Sequence, residues 1–357
     1  MEVIIIMKKI VAILLAVVFV LGSFAGCASN DNVESGKTIT VTDMAGNTVE
    51  LPTNIDKIAC QSSTCEAAII TLGKGALLIG TTDYTDETTF AYQLYPELST
   101  VRKCEDDLSV EEMLEANVDV VFVKDTNKIE KYQNAGMKVV CLDFDTVEGT
   151  KKSIELLGTI LDVTERSNKC LAYIEKCETL IAERLNDGET KSFTAYYSRA
   201  KYEDSNLLTT YAAGHIYSEW IATSGGSVIT KDMDLHETKG GVHINGEELV
   251  NANPDIIFVG GYYRNSVYEE AMSGEYRDTL TAIKDNRVYV IPTSVSDWSV
   301  GTCEIGLVTL WCATVVYPEL FSDIDMAKEI ITFYKDVADV TVSRELAEAI
   351  LTSNESK

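Results

Sequence analysis

Proline is scarce in this sequence, 5 in 357 residues, and low-complexity tracts are missing. With 46% apolar and 24% charged residues, this excludes collagen-like and disordered classes and indicates an ordinary globular chain of about two domains. Basic residues are outnumbered, 30 against 56 acidic, for a formal net charge of -26. Such a chain repels a phosphate backbone and lacks the basic footprint of nucleic-acid binding. The nine cysteines include no CxxC pair, so zinc-ribbon and thioredoxin spacings are absent. There is also no GxSxG, HExxH, P-loop or strand-following GxGxxG, the contexts in which a nucleophile or cofactor site is legible. Catalysis is therefore not expected: a surface hydrolase using His215 or His236 would need a carboxylate partner that spacing does not reveal.

What is present begins with an address. Lys8 and Lys9 precede an apolar run from Ile10 to Leu21, then small residues to Cys27: a secretory signal too short for a comfortable membrane span. Met7 directly before the lysines is the preferred start, with MEVIII as an upstream extension. Phe24-Ala25-Gly26-Cys27 resembles a bacterial lipobox, with Phe24 in place of the usual Leu, Val or Ile, and a polar stretch ASNDNVESGKT follows. Residues 1–27 are thus expected to be a lipoprotein signal peptide ending at a lipidated Cys27, and 28–37 a tether. The protein is then anchored to the outer face of the cell membrane. Among the other eight cysteines, Cys170 and Cys177 share a helix face with Ile174 and Ile181 and are expected to fill a core; no disulfide is assigned.

Short β-branched runs alternate with helical patterns, which predicts α/β structure with mainly parallel sheets. The expected strands are Lys57–Ser62, Leu77–Asp83, Val118–Lys124, Lys138–Phe144, Phe193–Ser198, Asp255–Gly261 and Val288–Thr293. From Val147 to Leu185, with a break near Asp162 to Glu165, the amphipathic pattern of Leu171, Ile174, Ile181 and Leu185 predicts a helix bridging two lobes. A repeat supports two related lobes. Residues 111–123 read EEMLEANVDVVFV and 247–259 read EELVNANPDIIFV, each a helix feeding an Asn-x-Asp turn and a buried strand. The predicted layout is an N-terminal lobe 38–146, an inter-lobe helix 147–187 and a C-terminal lobe 188–357.

The opening TITVTDMAGNTVELPTNIDKIAC, the stretch QSSTCEAAIITLGKGALLIGTTDY, the paired EE...ANxD units and the closing LVTLWCATVVYPELFSDIDMAKEIITFYKDV together resemble a known family. These are the helical-backbone substrate-binding proteins of metal-chelate ABC importers, which serve ferric siderophores, haem and cobalamin, with a molybdate or tungstate branch. The resemblance covers roughly residues 37–351. It implies two Rossmann-like lobes joined by a single long α-helix, a ligand cleft between them, and delivery of a metal chelate to an ABC permease dimer with its ATPase. It implies no cofactor, and the receptor is expected to be a monomer. Carried over by position, Glu111 and Glu247 would dock onto arginines of the two permease subunits, a bidentate charge-assisted contact. Both also read as first-turn carboxylates favoured by the helix dipole. A non-transport surface sensor or metallochaperone on the same fold is the alternative, for which both glutamates would be idle.

Open α/β sheets bind ligands beyond the carboxyl ends of their strands. The loops there offer Ser63, Tyr84 and Lys124 on the first lobe, and Tyr197, Arg199, His236, Lys239, Tyr262, Arg264 and Trp298 on the second. Trp298, in the polar loop TSVSDWSVG, would stack on a flat chelate or else wedge between the lobes. Arg264 would bind a ligand carboxylate or phosphate, or simply be solvated. All three histidines lie within 215–243, so a bare metal held from both lobes is disfavoured, and His236 or Tyr262 remains only as a contact to a chelated metal. Haem, corrinoid, siderophore and oxyanion are not distinguished at this level.

Overall fold

The computed structural model describes residues 37–81, 90–104, 107–186, 192–211, 214–233, 235–238 and 241–353. An antiparallel hairpin of Thr38–Thr42 (β1) and Thr48–Pro52 (β2) opens it. In the hairpin turn the Asp43 carboxylate accepts from the N–H groups of Ala45 and Asn47, and from Cys141 N–H at 3.0 Å. The turn is thereby docked on the end of the strand that carries Cys141, at the edge of the first lobe's sheet.

The first lobe is a parallel sheet in the order Ile58–Cys60 (β3), Val120–Val123 (β4), Val139–Cys141 (β5), all residues buried. Helices Ser63–Thr71 (α1), Val110–Ala116 (α2) and Ile129–Asn134 (α3) belong to it. The strand expected at Leu77–Asp83 is not a strand. Gly75–Leu77 is a 3₁₀ turn, Leu78 and Thr81 make only isolated bridges to Ile58 and Lys103, and residues 82–89 lie outside the described residues.

The single inter-lobe helix is also corrected. Val147–Ile160 (α4) and Thr164–Leu185 (α5) are separate helices, broken where Asp162 takes φ 52°. Asp tolerates this left-handed conformation, which a helix interior forbids. The two fold back on one another. Gly158 meets Ser167 so closely that a Cβ would lie 2.0 Å from the hydroxyl, and Lys151 pairs with Glu178 at 2.6 Å. The buried face of α5 carries Cys170, Ile174, Cys177 and Ile181, as their spacing predicts.

The second lobe contains Phe193–Arg199 (β6), Thr209–Thr210 (β7), Ile216–Thr223 (α6), Gly226–Val228 (β8), His236–Thr238 (β9), Gly241–His243 (β10), Gly246–Ala252 (α7), Ile256–Gly260 (β11), Arg264–Ser273 (α8) and Val288–Val290 (β12). Its parallel sheet runs β12-β11-β6-β8, and β7-β10-β9 form a small antiparallel sheet beside it. Ile305–Val316 (α9), Met326–Phe333 (α10) and Arg344–Thr352 (α11) follow; α9 is apolar all round and packs on α5.

The repeat folds alike in both lobes, and its polar identities acquire reasons. Asn117 (φ 55°) and Asn253 (φ 41°) end α2 and α7 in the left-handed conformation. Asp119 accepts from the N–H groups of Asp56 and Lys57, both at 2.8 Å. Asp255 accepts from Thr194 N–H and Oγ1 at 2.7 and 2.8 Å. In each lobe the aspartate ties the start of the central strand to the start of its neighbour.

Candidate functional site

A cleft of about 830 Å³ is lined by the loops that leave the carboxyl ends of strands in both lobes. On the first lobe, Gln61 is buried and fully engaged: its amide donates to the Cys60 and Leu108 carbonyls, and its Oε1 accepts from Tyr132 at 2.6 Å. That anchor sets Ser62, Ser63 and Thr64 on the cleft wall, where α1 starts without a side-chain cap. First-turn N–H groups with no helical partner favour an anion. Lys124 and Lys128 flank them, paired with Asp145 (2.6 Å) and Asp107 (2.9 Å).

On the second lobe the cleft wall is an aromatic stack. Tyr197 lies 4.6 Å from Tyr217 and 5.9 Å from Tyr211, centroid to centroid, with its hydroxyl hydrogen-bonded to Ser299 Oγ at 2.9 Å. Tyr211 is nearly parallel to His215 at 4.0 Å, and the Arg199 guanidinium carbon sits 4.1 Å from the Tyr211 ring centre. Two flat groups that near one ring centre occupy its opposite faces, so Tyr211 is sandwiched between cation and imidazole. Burial, reinforced by the charge of Lys124, pushes His215 down to about 4, and the imidazole is neutral at physiological pH. Its Nε2 lies 3.8 Å from Asp145 of the other lobe, so Lys124, Asp145 and His215 form a polar chain across the cleft.

Gly261 closes the floor. Its φ of 107° and the 2.5 Å approach a Cβ would make to the Ala200 carbonyl oxygen require glycine, and its N–H donates to Asp297. Tyr262 follows on the rim, 40% exposed.

Ser63, Lys124 and Tyr262, which follow strands, come together in one cleft with Arg199 and Tyr197; these two were expected in a loop but are part of β6, Arg199 at its end and Tyr197 buried within it. Tyr84, Lys239 and the His236 side chain lie outside the described residues. Two expectations are corrected. Arg264 is 3% exposed and donates from Nη1 to the Gly261 carbonyl at 2.8 Å, so it supports the floor from behind. Neither the ligand-carboxylate nor the solvated reading describes it. Trp298 is fully buried in the core, its indole N–H donating to Ser294 Oγ at 2.7 Å. A large apolar ring gains more from the core than from an exposed loop, so it anchors the loop while Ser296, Asp297 and Ser299 face the cleft. The cleft also recruits Met44, Asp143, Asp145, Tyr211 and His215. Of these only His215 had a sequence signal, as one of three histidines; Tyr211 follows a two-residue strand too short to leave one.

Two parallel-sheet lobes with a polar cleft at their strand ends give the frame for the comparison with known proteins. The profile of the periplasmic binding protein family matches residues 58–295, and the chain belongs to that family. Among curated proteins, the molybdate-binding protein MolA of Haemophilus influenzae is 22% identical over 325 residues, 83% of this chain and 89% of MolA. Among solved structures, a periplasmic solute-binding protein of Veillonella parvula superposes with TM-score 0.73 at 22% identity, covering 89% of this chain and 99% of its own. Molybdate-bound MolA gives 0.72 at 20% identity, covering 85% and 99%, and Helicobacter pylori CeuE with Ni(II) bound gives 0.72 at 21%, covering 88% and 99%. The expected family stands, and the fold it implies is shared with these solved structures.

Proposed function

We propose that the protein is a receptor for an anionic metal chelate of the ferric-siderophore type, which it holds in this cleft and passes to an ABC permease. The observation that carries the reading is Arg199. Its guanidinium carbon lies 4.1 Å from the Tyr211 ring centre and makes no ion pair with a carboxylate among the described residues, in a cleft that also holds Lys124, Lys128 and Lys201. A pre-positioned, unneutralised fork is suited to a ligand carboxylate or catecholate oxygen pair. A cavity of about 830 Å³ suits a ligand of drug-like size. With Trp298 in the core, the stacking argument for a haem or corrinoid macrocycle falls away. A molybdate- or tungstate-type oxyanion is the second reading, favoured by the relative MolA. Neither requires catalysis or a cofactor.

Glu111 and Glu247 are assigned to permease docking. Both are exposed. In the first lobe the capping duty falls on Glu112, which accepts from Ser109 N–H and Oγ and pairs with Arg102 at 2.8 Å, leaving Glu111 outside that network. A helix that turns back into a strand within three residues runs antiparallel to it. The first turns of α2 and α7 therefore lie at the level of the strand carboxyl ends, on the cleft side where a ligand is handed over.

The test is a tryptophan-fluorescence titration against ferric siderophores, haem, cobalamin, cobinamide and molybdate. Submicromolar binding of a ferric siderophore is expected. Preference for molybdate would move the assignment to the oxyanion branch, and a flat response to the whole panel would favour the sensor reading, as would a gene neighbourhood without permease and ATPase. Lipid anchoring rests on Cys27, outside the described residues: Cys27→Ala is expected to shift the protein from membranes to the soluble fraction, and persistent membrane association would refute it.

A further inference from the structure

Behind the cleft wall lies a buried carboxyl group that ligand contact does not explain. Glu304 is 1% exposed, and its Oε1 accepts from the hydroxyls of Ser294 and Tyr334. Ser294 Oγ, having donated to Glu304, accepts the Trp298 indole N–H at 2.7 Å. The Ser294 carbonyl accepts Phe90 N–H of the first lobe at 2.9 Å. A chain therefore runs from Glu304 through Ser294 to Trp298, whose sequence neighbours Asp297 and Ser299 line the cleft. Trp298 N–H donates to the Pro292 carbonyl, and Asp297 accepts from Ser299 N–H at 2.7 Å and from Gly261 N–H. The wall and the glycine floor thus hang on one buried network.

We propose that Glu304 is a positioning residue for ligand capture: as a carboxylate it locks residues 294–299 in the binding conformation through Ser294 and Trp298, and its protonation loosens them. This rests on the receptor reading of the cleft. The physical basis is a change in hydrogen bonding. The ionised group accepts both hydroxyl protons in charge-assisted bonds, about twice as strong as neutral ones. Once protonated it becomes a donor, and Oε2 has no acceptor among the described residues. Burial pushes the Glu304 carboxyl up to about 7, inside the physiological window. The titratable groups facing it are Tyr334, Tyr95 from the first lobe and Cys303 on its own loop, with Arg166 beyond Tyr95. Burial raises both tyrosines, and a hydrogen bond with Cys170 together with burial raises Cys303, all well above their ordinary values, so none of the three titrates in that window.

Two readouts should then move in opposite directions. Because the folded carboxyl titrates above its unfolded value, its contribution to stability is complete below the ordinary carboxylate range and is lost as pH rises through about 7. Ligand capture should instead strengthen over the same window, by about tenfold for a ferric tris-catecholate probe, the effect of one hydrogen bond to a charged group. The ligand-free arm decides whatever the cleft captures. Trp298 emission, taken as wild type minus Trp298→Phe, should titrate near pH 7, and Glu304→Gln should abolish that titration. Hydrogen exchange at residues 294–300 should also quicken in Glu304→Gln at alkaline pH while β3 to β5 are unchanged. Should Glu304→Gln not fold, Ser294→Ala keeps the carboxyl and cuts the chain: the stability profile persists but moves to higher pH, because a hydrogen bond that favours the carboxylate is gone, and the Trp298 titration is lost. Emission insensitive to pH, or a titration that survives both substitutions, overturns the proposal. A normal Trp298 titration with no binding of the chelate would count against the ligand class and leave the positioning role standing.

Discussion

Arg199→Ala weakens ligand binding by about 2 kcal/mol, roughly thirtyfold in Kd, with little change in thermal stability. The reasoning is local. Arg199 is held by the Tyr211 face and carries no ion pair to a carboxylate among the described residues, so its removal orphans no acidic partner. What is lost is the fork that meets the ligand's negative oxygens. Arg199→Lys is expected to recover only part of the affinity, because an ammonium restores the charge without the planar donor pair or the stack. Titration calorimetry checks both variants. Unchanged affinity in Arg199→Ala would remove the anion-binding argument for this cleft. Because surface charge steers association, salt should weaken binding in the wild type more than in the variant.

Glu111→Ala combined with Glu247→Ala abolishes uptake while ligand affinity stays at the wild-type value. Both carboxylates are exposed on short helices with no ligand-facing role, so the cleft does not sense their loss. Under the proposed docking role, each lobe would lose a charge-assisted contact to its own permease subunit. The single variants are expected to retain partial uptake. A whole-cell uptake assay alongside a binding titration separates the two properties. Normal uptake in the double variant would return these residues to the helix-dipole explanation, under which each contributes only about 0.3–1 kcal/mol of local stability.

Much of the fold was legible because it is written in local pattern. Short apolar runs bounded by turn residues, such as VVFV and IIFVG, read as strands covered on both faces, and both are central strands of parallel sheets. The EE...ANxD repeat exposed the kinship of the lobes, since its Asn and Asp serve backbone geometry that both copies need. The strand-end rule pointed to Ser63, Lys124, Arg199 and Tyr262, which share one cleft, while Tyr197 lines it from within β6. The failures have an equally physical origin. The helical period on both sides of Asp162 looks alike whether the chain continues straight or turns back, and only the close approach of Gly158 and Ser167 decides. The ligand-facing readings of Trp298 and Arg264 fail because a polar neighbourhood in sequence does not report which way a side chain turns.

The sequence by itself determined the class, the two-lobe plan and the strand ends that line the cleft, since periodicity, turn chemistry and strand polarity act over a few residues. The tertiary structure alone decided which side chains share the cleft. It stacked His215 and Arg199 on Tyr211, brought Asp145 of the first lobe towards His215 of the second, and drew Trp298 inward onto Ser294 and Glu304. The reason is that burial and desolvation depend on chain segments far apart in sequence, and a side chain's exposure and charge state follow from that assembled environment.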